Sequence, residues 1–275
     1  MILGTGAFRW IQHYRMQGSS LDEYYEEAIA AAARAGCAAW EPLGLPTDEA
    51  AARLGKALKA NQMRLPSLYL NCRMHDAVWK EAVNDALAQA RRAKRHGATV
   101  LCVNPEPLDW KQPLDKSDDE LSIQLGAMFM LCQQAQVDGL QVAYHVHSSE
   151  LRQKGREFYY MMDNIPAELM GFCFDPHWIY RGFGNSQRAV NDTLKRYGAR
   201  ILTLHIRQSA NGVWTETLRE GDLDYRPLAK HLRETGFAGP LYVELGYEEG
   251  VPQTLTMEEA HRESIRWARQ LFLSP

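Results

Sequence analysis

Four segments of this sequence end an apolar run on residues that bind metal ions or move protons. They read "QVAYHVHSSE", "GFCFDPHW", "ILTLHIRQ" and "LYVELG". In order they deliver His145, His147 and Glu150, then Asp175 and His177, then His205 and Arg207, then Glu244. A fifth segment, "CAAWEP", ends on Glu41. If the apolar runs are strands, side chains alternate along them, so His145 and His147 share a face and Glu150 falls just past the strand end. Taken singly, each of these residues is equally well a polar strand end facing water or the cap of the next helix. Taken together, Glu150, Asp175, His205 and Glu244 offer three carboxylates and one imidazole to one ion. Such a mixed oxygen and nitrogen set suits Mn²⁺, Mg²⁺, Co²⁺ or Zn²⁺. Three carboxylates converging without an ion would repel, and one would have to hold a proton.

Convergence of residues so far apart in sequence demands a particular scaffold. Short hydrophobic runs alternate with longer segments of helical period from the first strand, Met1 to Gly6, to the closing helix, Thr256 to Leu273. The strands read as Cys37 to Glu41, Leu65 to Leu70, Ala98 to Asn104, Leu140 to His147, Gly171 to Asp175, Arg200 to Ile206 and Pro240 to Leu245. The helices between them read as Leu21 to Ala35, Thr47 to Asn61, Asp76 to His96, Ser122 to Gln136, Glu150 to Met162, Ser186 to Tyr197 and Tyr225 to Glu234. Continuous apolar strands imply a parallel sheet covered on both faces. Eight such units predict an α/β fold, a (β/α)₈ TIM barrel forming a single domain over residues 1–275, with an open doubly wound sheet as the alternative. "LGTGAFRW" lacks the glycine spacing of a dinucleotide-binding turn after the first strand. In a barrel, the C-terminal ends of the strands meet at one pocket, which is where the polar residues above are placed.

The bulk properties narrow the partners. A chain of 275 residues, 45% hydrophobic with a net charge of -3, carries no long basic run, so nucleic acid is not an expected partner. Arg91, Arg92, Lys94 and Arg95 are spaced as the solvated face of a helix. The five cysteines stand singly, without a CxxC pair, and read as buried thiols rather than disulfides or a zinc site. No signal segment or stretch of eighteen apolar residues is present, so a cytoplasmic protein without a membrane contact is expected.

The motifs "HVHSSE", "FDPHW", "LHIRQ" followed by "REGDLDY", and "GPLYVEL" resemble the strand-end motifs of the xylose-isomerase-like sugar isomerase and epimerase barrels. That superfamily includes ketose 3-epimerases, hydroxypyruvate isomerase, inosose dehydratase and endonuclease IV. The resemblance implies one divalent cation per chain, Mn²⁺ first and Mg²⁺, Co²⁺ or Zn²⁺ as alternatives, held by Glu150, Asp175, His205 and Glu244. It implies an isomerase or epimerase of carbohydrate metabolism acting on a ketose, sugar acid or related polyol through an enediolate, with a homodimer or homotetramer as candidate assemblies. Glu150 and Glu244 are then the acid and base. Expulsion of a β-hydroxyl from the same site gives the inosose-type dehydratase alternative. An abasic-site endonuclease is a more distant one, because "EGDLDYRP" has no histidine for a further metal. A sugar-binding barrel without turnover completes the alternatives. The chain departs from the ketose 3-epimerase pattern at Trp178 and Asn211, and it carries arginines at Arg207 and Arg219. Arg207, His147, His177, Glu41 and Trp178 are expected to bind substrate, with an acidic substrate group or a structural ion pair equally the partner of Arg207. Asn71, Trp10 and Trp214 are further candidates to line the pocket.

Overall fold

The computed structural model describes residues 1–273 and contains one sheet of eight parallel strands. The strands are β1 (Ile2–Gly6), β2 (Ala39–Glu41), β3 (Ser67–Cys72), β4 (Val100–Pro105), β5 (Gln141–Tyr144), β6 (Met170–Phe174), β7 (Ile201–Ile206) and β8 (Pro240–Val243). Their order is β2-β1-β8-β7-β6-β5-β4-β3. The seam between β2 and β3 is closed by isolated bridges, where Trp40 N donates to Arg64 O at 3.0 Å and Tyr69 N to Pro42 O at 3.1 Å. The predicted barrel is therefore what forms, rather than an open sheet. Its interior is packed by Val100, Cys102, Ala143 and Cys173, with Tyr69 and Leu202 against them. All five cysteines are free and buried, as their apolar settings predict. At Gly4 an added Cβ would stand 2.5 Å from Ala39 O, so the β1–β2 approach excludes any larger residue there.

The helices on the outside are α1 (Phe8–Met16), α2 (Tyr25–Arg34), α3 (Asp48–Ala60), α4 (Trp79–Lys94), α5 (Asp118–Val137), α6 (Ser148–Asn164), α7 (Pro176–Gly182), α8 (Gln187–Tyr197), α9 (Arg226–Glu234) and α10 (Met257–Leu273). None of the described helices is long and apolar enough to cross a membrane. The sequence reading missed α1 and α7, both short and both at the catalytic end of a barrel. Helix α7 starts on the Asp-Pro pair that follows β6. The Asp175 carboxylate accepts from the backbone N–H of His177 and of Trp178, each at 2.9 Å, and Pro176 takes the first-turn place that needs no donor. Helix α5 begins four residues before the expected Ser122, because Ser117 and Glu120 cap each other reciprocally there. A small antiparallel hairpin, Ser209–Ala210 with Val213–Trp214, follows β7 and turns at Asn211-Gly212, both with positive φ. It swings Trp214 back over the mouth of the barrel.

Candidate metal centre

Strand β5 is shorter than its sequence suggests, and that shortness rearranges the site. The run was expected to extend to His147, but the strand stops at Tyr144. Ladder bonding continues one residue further, from His145 N to Val103 O at 2.8 Å, and the chain then turns into α6. Glu150 sits in the first turn of α6, and its carboxylate accepts from His147 N at 2.6 Å, closing the turn as a helix cap. The same carboxylate accepts from Ser149 Oγ at 2.6 Å and Asn104 Nδ2 at 3.2 Å. It is fully buried and does not line the cavity at the barrel mouth.

The donors that gather instead are His145, Asp175, His205 and Glu244, whose ligand atoms all lie within 4.8 Å of one another. Three of the four expected ligands are therefore together. The fourth member of the cluster is His145, and Glu150 is not brought into it. Strand register explains it. Asp175 directly follows the last residue of β6, Glu244 the last of β8, and His145 the last of β5. Glu150 lies five residues further on, already inside a helix. Glu244 N donates to Ile206 O at 3.0 Å, so it is fixed to the sheet in the same way as His145.

The centre has the charge and the unmet bonding capacity of an ion site. His145 Nε2 and both ring nitrogens of His205 are buried without an aligned hydrogen bond. A second set among the described residues, Cys102, Cys173 and His205, also comes within 4.8 Å, but its thiols belong to the packed interior layer. Burial opposes the charge on Asp175, yet Arg207 and His145 outweigh it and hold its carboxyl below the usual range. Glu244 is likewise held well below its ordinary value, where Arg207 and His205 outweigh burial. Burial also opposes protonation of His205, but Glu41 and Glu244 together raise its pKa well above the ordinary value. A proton on His205 thus balances the carboxylates in the metal-free protein, and a divalent cation would displace it. Burial keeps His145 neutral, the form in which an imidazole ligates. Two carboxylates and two imidazoles fit Mn²⁺, Co²⁺ or Zn²⁺, with Mg²⁺ least favoured by the nitrogen donors.

The remaining candidates divide between the cavity and the structure behind it. A cavity of about 660 Å³ opens over the centre, lined by Glu41, Asn71, His147, Trp178, Trp214 and Glu244, among others. His147 stands edge-on to His145, ring centroids 4.8 Å apart, and its Nδ1 has no partner. His177 does not line the cavity; its Nε2 lies 3.1 Å from Ser209 Oγ, bracing α7 against the hairpin. Burial drives the His177 pKa down to about 3, so it stays neutral. Trp10 is core, stacked on His261 at 4.9 Å. Arg207 is almost wholly buried, with its guanidinium 4.9 Å from the Trp178 ring and 4.7 Å from the Trp214 ring. Its Nη2 donates to Glu244 and, at 3.3 Å, to Asp175. Arg207 thus forms the structural ion pair that the sequence allowed, with two carboxylates of the cluster, and it also borders the cavity that a substrate would fill.

The placement of Glu150 yields a pH prediction. Burial first, and Glu157 second, push its carboxyl up from 4.5 to about 7. An acid raised in the folded state keeps a proton that the unfolded chain releases, so stability falls as pH rises from about 4.5 to about 7. Glu150→Gln removes that loss. The metal-free variant is expected to match the parent near the lower pH and to exceed it by on the order of 1–3 kcal/mol above the upper one. Denaturant melts at both pH values measure this. A difference that does not grow with pH would mean that the Glu150 carboxylate is ionised and stabilised, as a ligand would be.

Residues 29–271 match the sequence profile of the family described as xylose isomerase-like TIM barrel. Among curated proteins no relative matches by sequence. Solved structures do match in fold. A D-psicose 3-epimerase with D-tagatose from Clostridium cellulolyticum H10 is similar with a TM-score of 0.74 at 12% identity, covering 99% of each chain. A sugar phosphate isomerase/epimerase from Parabacteroides distasonis ATCC 8503 is similar with a TM-score of 0.70 at 16% identity, covering 89% of this chain and 93% of that one. An AP endonuclease, family 2, from Brucella melitensis is similar with a TM-score of 0.63 at 14% identity, covering 90% and 93%.

Proposed function

The chain belongs to the xylose isomerase-like TIM barrel family, and from that premise we propose that it is a divalent-metal-dependent isomerase or epimerase of a ketose, sugar acid or related polyol. The observation that carries this reading is the convergence of His145, Asp175, His205 and Glu244 beside a cavity, with buried ring nitrogens that have no hydrogen-bond partner. When bound, the ion supplies Lewis-acid polarisation of a carbonyl and its neighbouring hydroxyl, which acidifies the C–H between them.

The chain's own residues do the rest. Glu244 is a ligand that also lines the cavity, and its carboxylate is ionised, so it can take the proton from carbon. Arg207, which lines the same cavity, holds that carboxylate in place. His147, neutral and with a free Nδ1, lines the same cavity and can take up and give back the proton of a substrate hydroxyl, while Glu244 returns the proton it has taken to the same or the neighbouring carbon. His147 takes the second proton-transfer role first given to Glu150, which is turned into the helix cap. Trp178 and Trp214 present indole to the substrate and exclude water from the proton-transfer path. The fold also serves nucleic-acid chemistry, but the net charge of -3 offers little to neutralise a duplex backbone, which favours the small-molecule reading.

The test joins metal and substrate. Protein stripped with chelator is reloaded with Mn²⁺, Co²⁺, Zn²⁺ or Mg²⁺ in turn and incubated in D₂O with ketohexoses, ketopentoses, inososes, hydroxypyruvate and keto-sugar acids. Metal-dependent deuterium incorporation seen by NMR identifies the substrate and the reaction. Failure to bind any ion, or incision of an abasic duplex in place of exchange, would overturn the reading.

A further inference from the structure

We propose that Glu41 is a positioning residue for His205, fixing the proton of the imidazole on Nε2 so that Nδ1 presents its lone pair to the metal-binding donors. The proposal rests on the metal-dependent reading above. His205 stands between two carboxylates: Nε2 lies 2.6 Å from Glu41 Oε2, and Nδ1 lies 3.3 Å from Glu244 Oε2. The Nε2 contact is the shorter of the two, although the ring as placed does not aim its N–H along it, and neither nitrogen has another polar partner among the described residues.

Glu41 is held by a directional chain. Ser67 Oγ donates to Glu41 Oε1 at 2.5 Å. A hydroxyl has one proton to give, and Ser67 has given it to the carboxylate, so Tyr242 O–H must donate to Ser67 Oγ across their 2.7 Å contact. The chain therefore runs from Tyr242 through Ser67 and ends on Glu41. An ionised carboxylate can only accept, so the free oxygen of Glu41 selects an N–H on the imidazole nitrogen facing it. These residues come from β2, β3, β7 and β8, and each is at most 3% exposed. The arrangement spans the seam where β2 and β3 are joined only by isolated bridges, so it ties that seam to the ligand strand. A metal-bound imidazole whose second nitrogen is held by a carboxylate is a fixed and more basic ligand. Glu41 also lines the cavity, which makes direct substrate contact the competing role.

Glu41→Gln separates the two. The amide oxygen would keep the Ser67 bond, leaving an NH₂ facing His205 Nε2, which favours the proton on Nδ1 and occupies the ligating nitrogen. Affinity for Mn²⁺, read by competition with a chelator, is expected to fall by about 10–100-fold, while KM at saturating Mn²⁺ stays unchanged. Glu41→Asp restores part of the affinity. Long-range ¹H–¹⁵N spectra of the Zn²⁺-loaded protein, in which the ion has displaced the second proton, are expected to show the proton on His205 Nε2 with Nδ1 unprotonated in the parent and the loss of that pattern in E41Q. Unchanged Mn²⁺ affinity with a raised KM would make Glu41 a substrate contact and overturn the proposal. A parent protein that binds no divalent ion overturns this proposal together with the functional reading, whereas unchanged affinity in E41Q overturns this proposal alone. If E41Q does not fold, Ser67→Ala decides: weaker Mn²⁺ binding supports the proposal, and full affinity with an unaltered His205 tautomer overturns it.

Discussion

Glu244→Gln is expected to lower the rate of proton transfer by roughly the 10²–10⁴-fold typical of a positioned base, while the protein still folds and binds a metal ion. The amide keeps the volume of the side chain and one oxygen for the ion, but it cannot accept a proton. Among the four gathered donors, Glu244 is the carboxylate that lines the cavity, whereas Asp175 is fully buried and spends one oxygen capping α7. Substrate exchange in D₂O, followed by NMR on the substrate that the panel identifies, gives the rate directly. His147→Ala provides the comparison. If His147 is the second proton-transfer group, that variant still washes the C–H proton out to solvent but forms product slowly. Parent-like exchange in E244Q with the metal still bound would place the base elsewhere and sink this assignment.

His145→Ala should cost at least the 10–100-fold in metal affinity seen for lesser perturbations of metal sites, because it deletes a ligand rather than a supporting group. Glu150→Gln, by contrast, should leave affinity within a few-fold of the parent. Metal content after dialysis and competition with a chelator measure both. Thermal stability gives an independent reading, since an ion that binds only the folded state stabilises it by about 2.7 kcal/mol at a hundred times its Kd. The parent and E150Q should both show that gain on adding Mn²⁺, and H145A should not. The reverse pattern, with E150Q losing the ion and H145A keeping it, would restore Glu150 as the fourth ligand and remove the register argument made for His145.

The same pair of residues marks the boundary between local and long-range information. Eight alternating units were legible because burial on both faces of a parallel strand demands a continuous apolar run, and a covering helix demands a period near 3.6. Asp175, His205 and Glu244 were legible because each lies at or beside the end of such a run, and barrel closure brings those ends together. Where Glu150 sits was visible only in three dimensions: the chain leaves β5 at Tyr144, and the carboxylate accepts from the backbone N–H of His147 in the first turn of α6. Arg207 makes the same point with the opposite sign. Its residue type allowed an acidic substrate group or a structural ion pair, and packing supplies the pair: Trp178 and Trp214 lie against it and Glu244 and Asp175 face it at the edge of the cavity. A residue's type and its distance from a strand end are local properties that the chain itself carries. Which neighbour satisfies a buried charge depends on side chains brought from strands tens of residues away, and only packing assigns them.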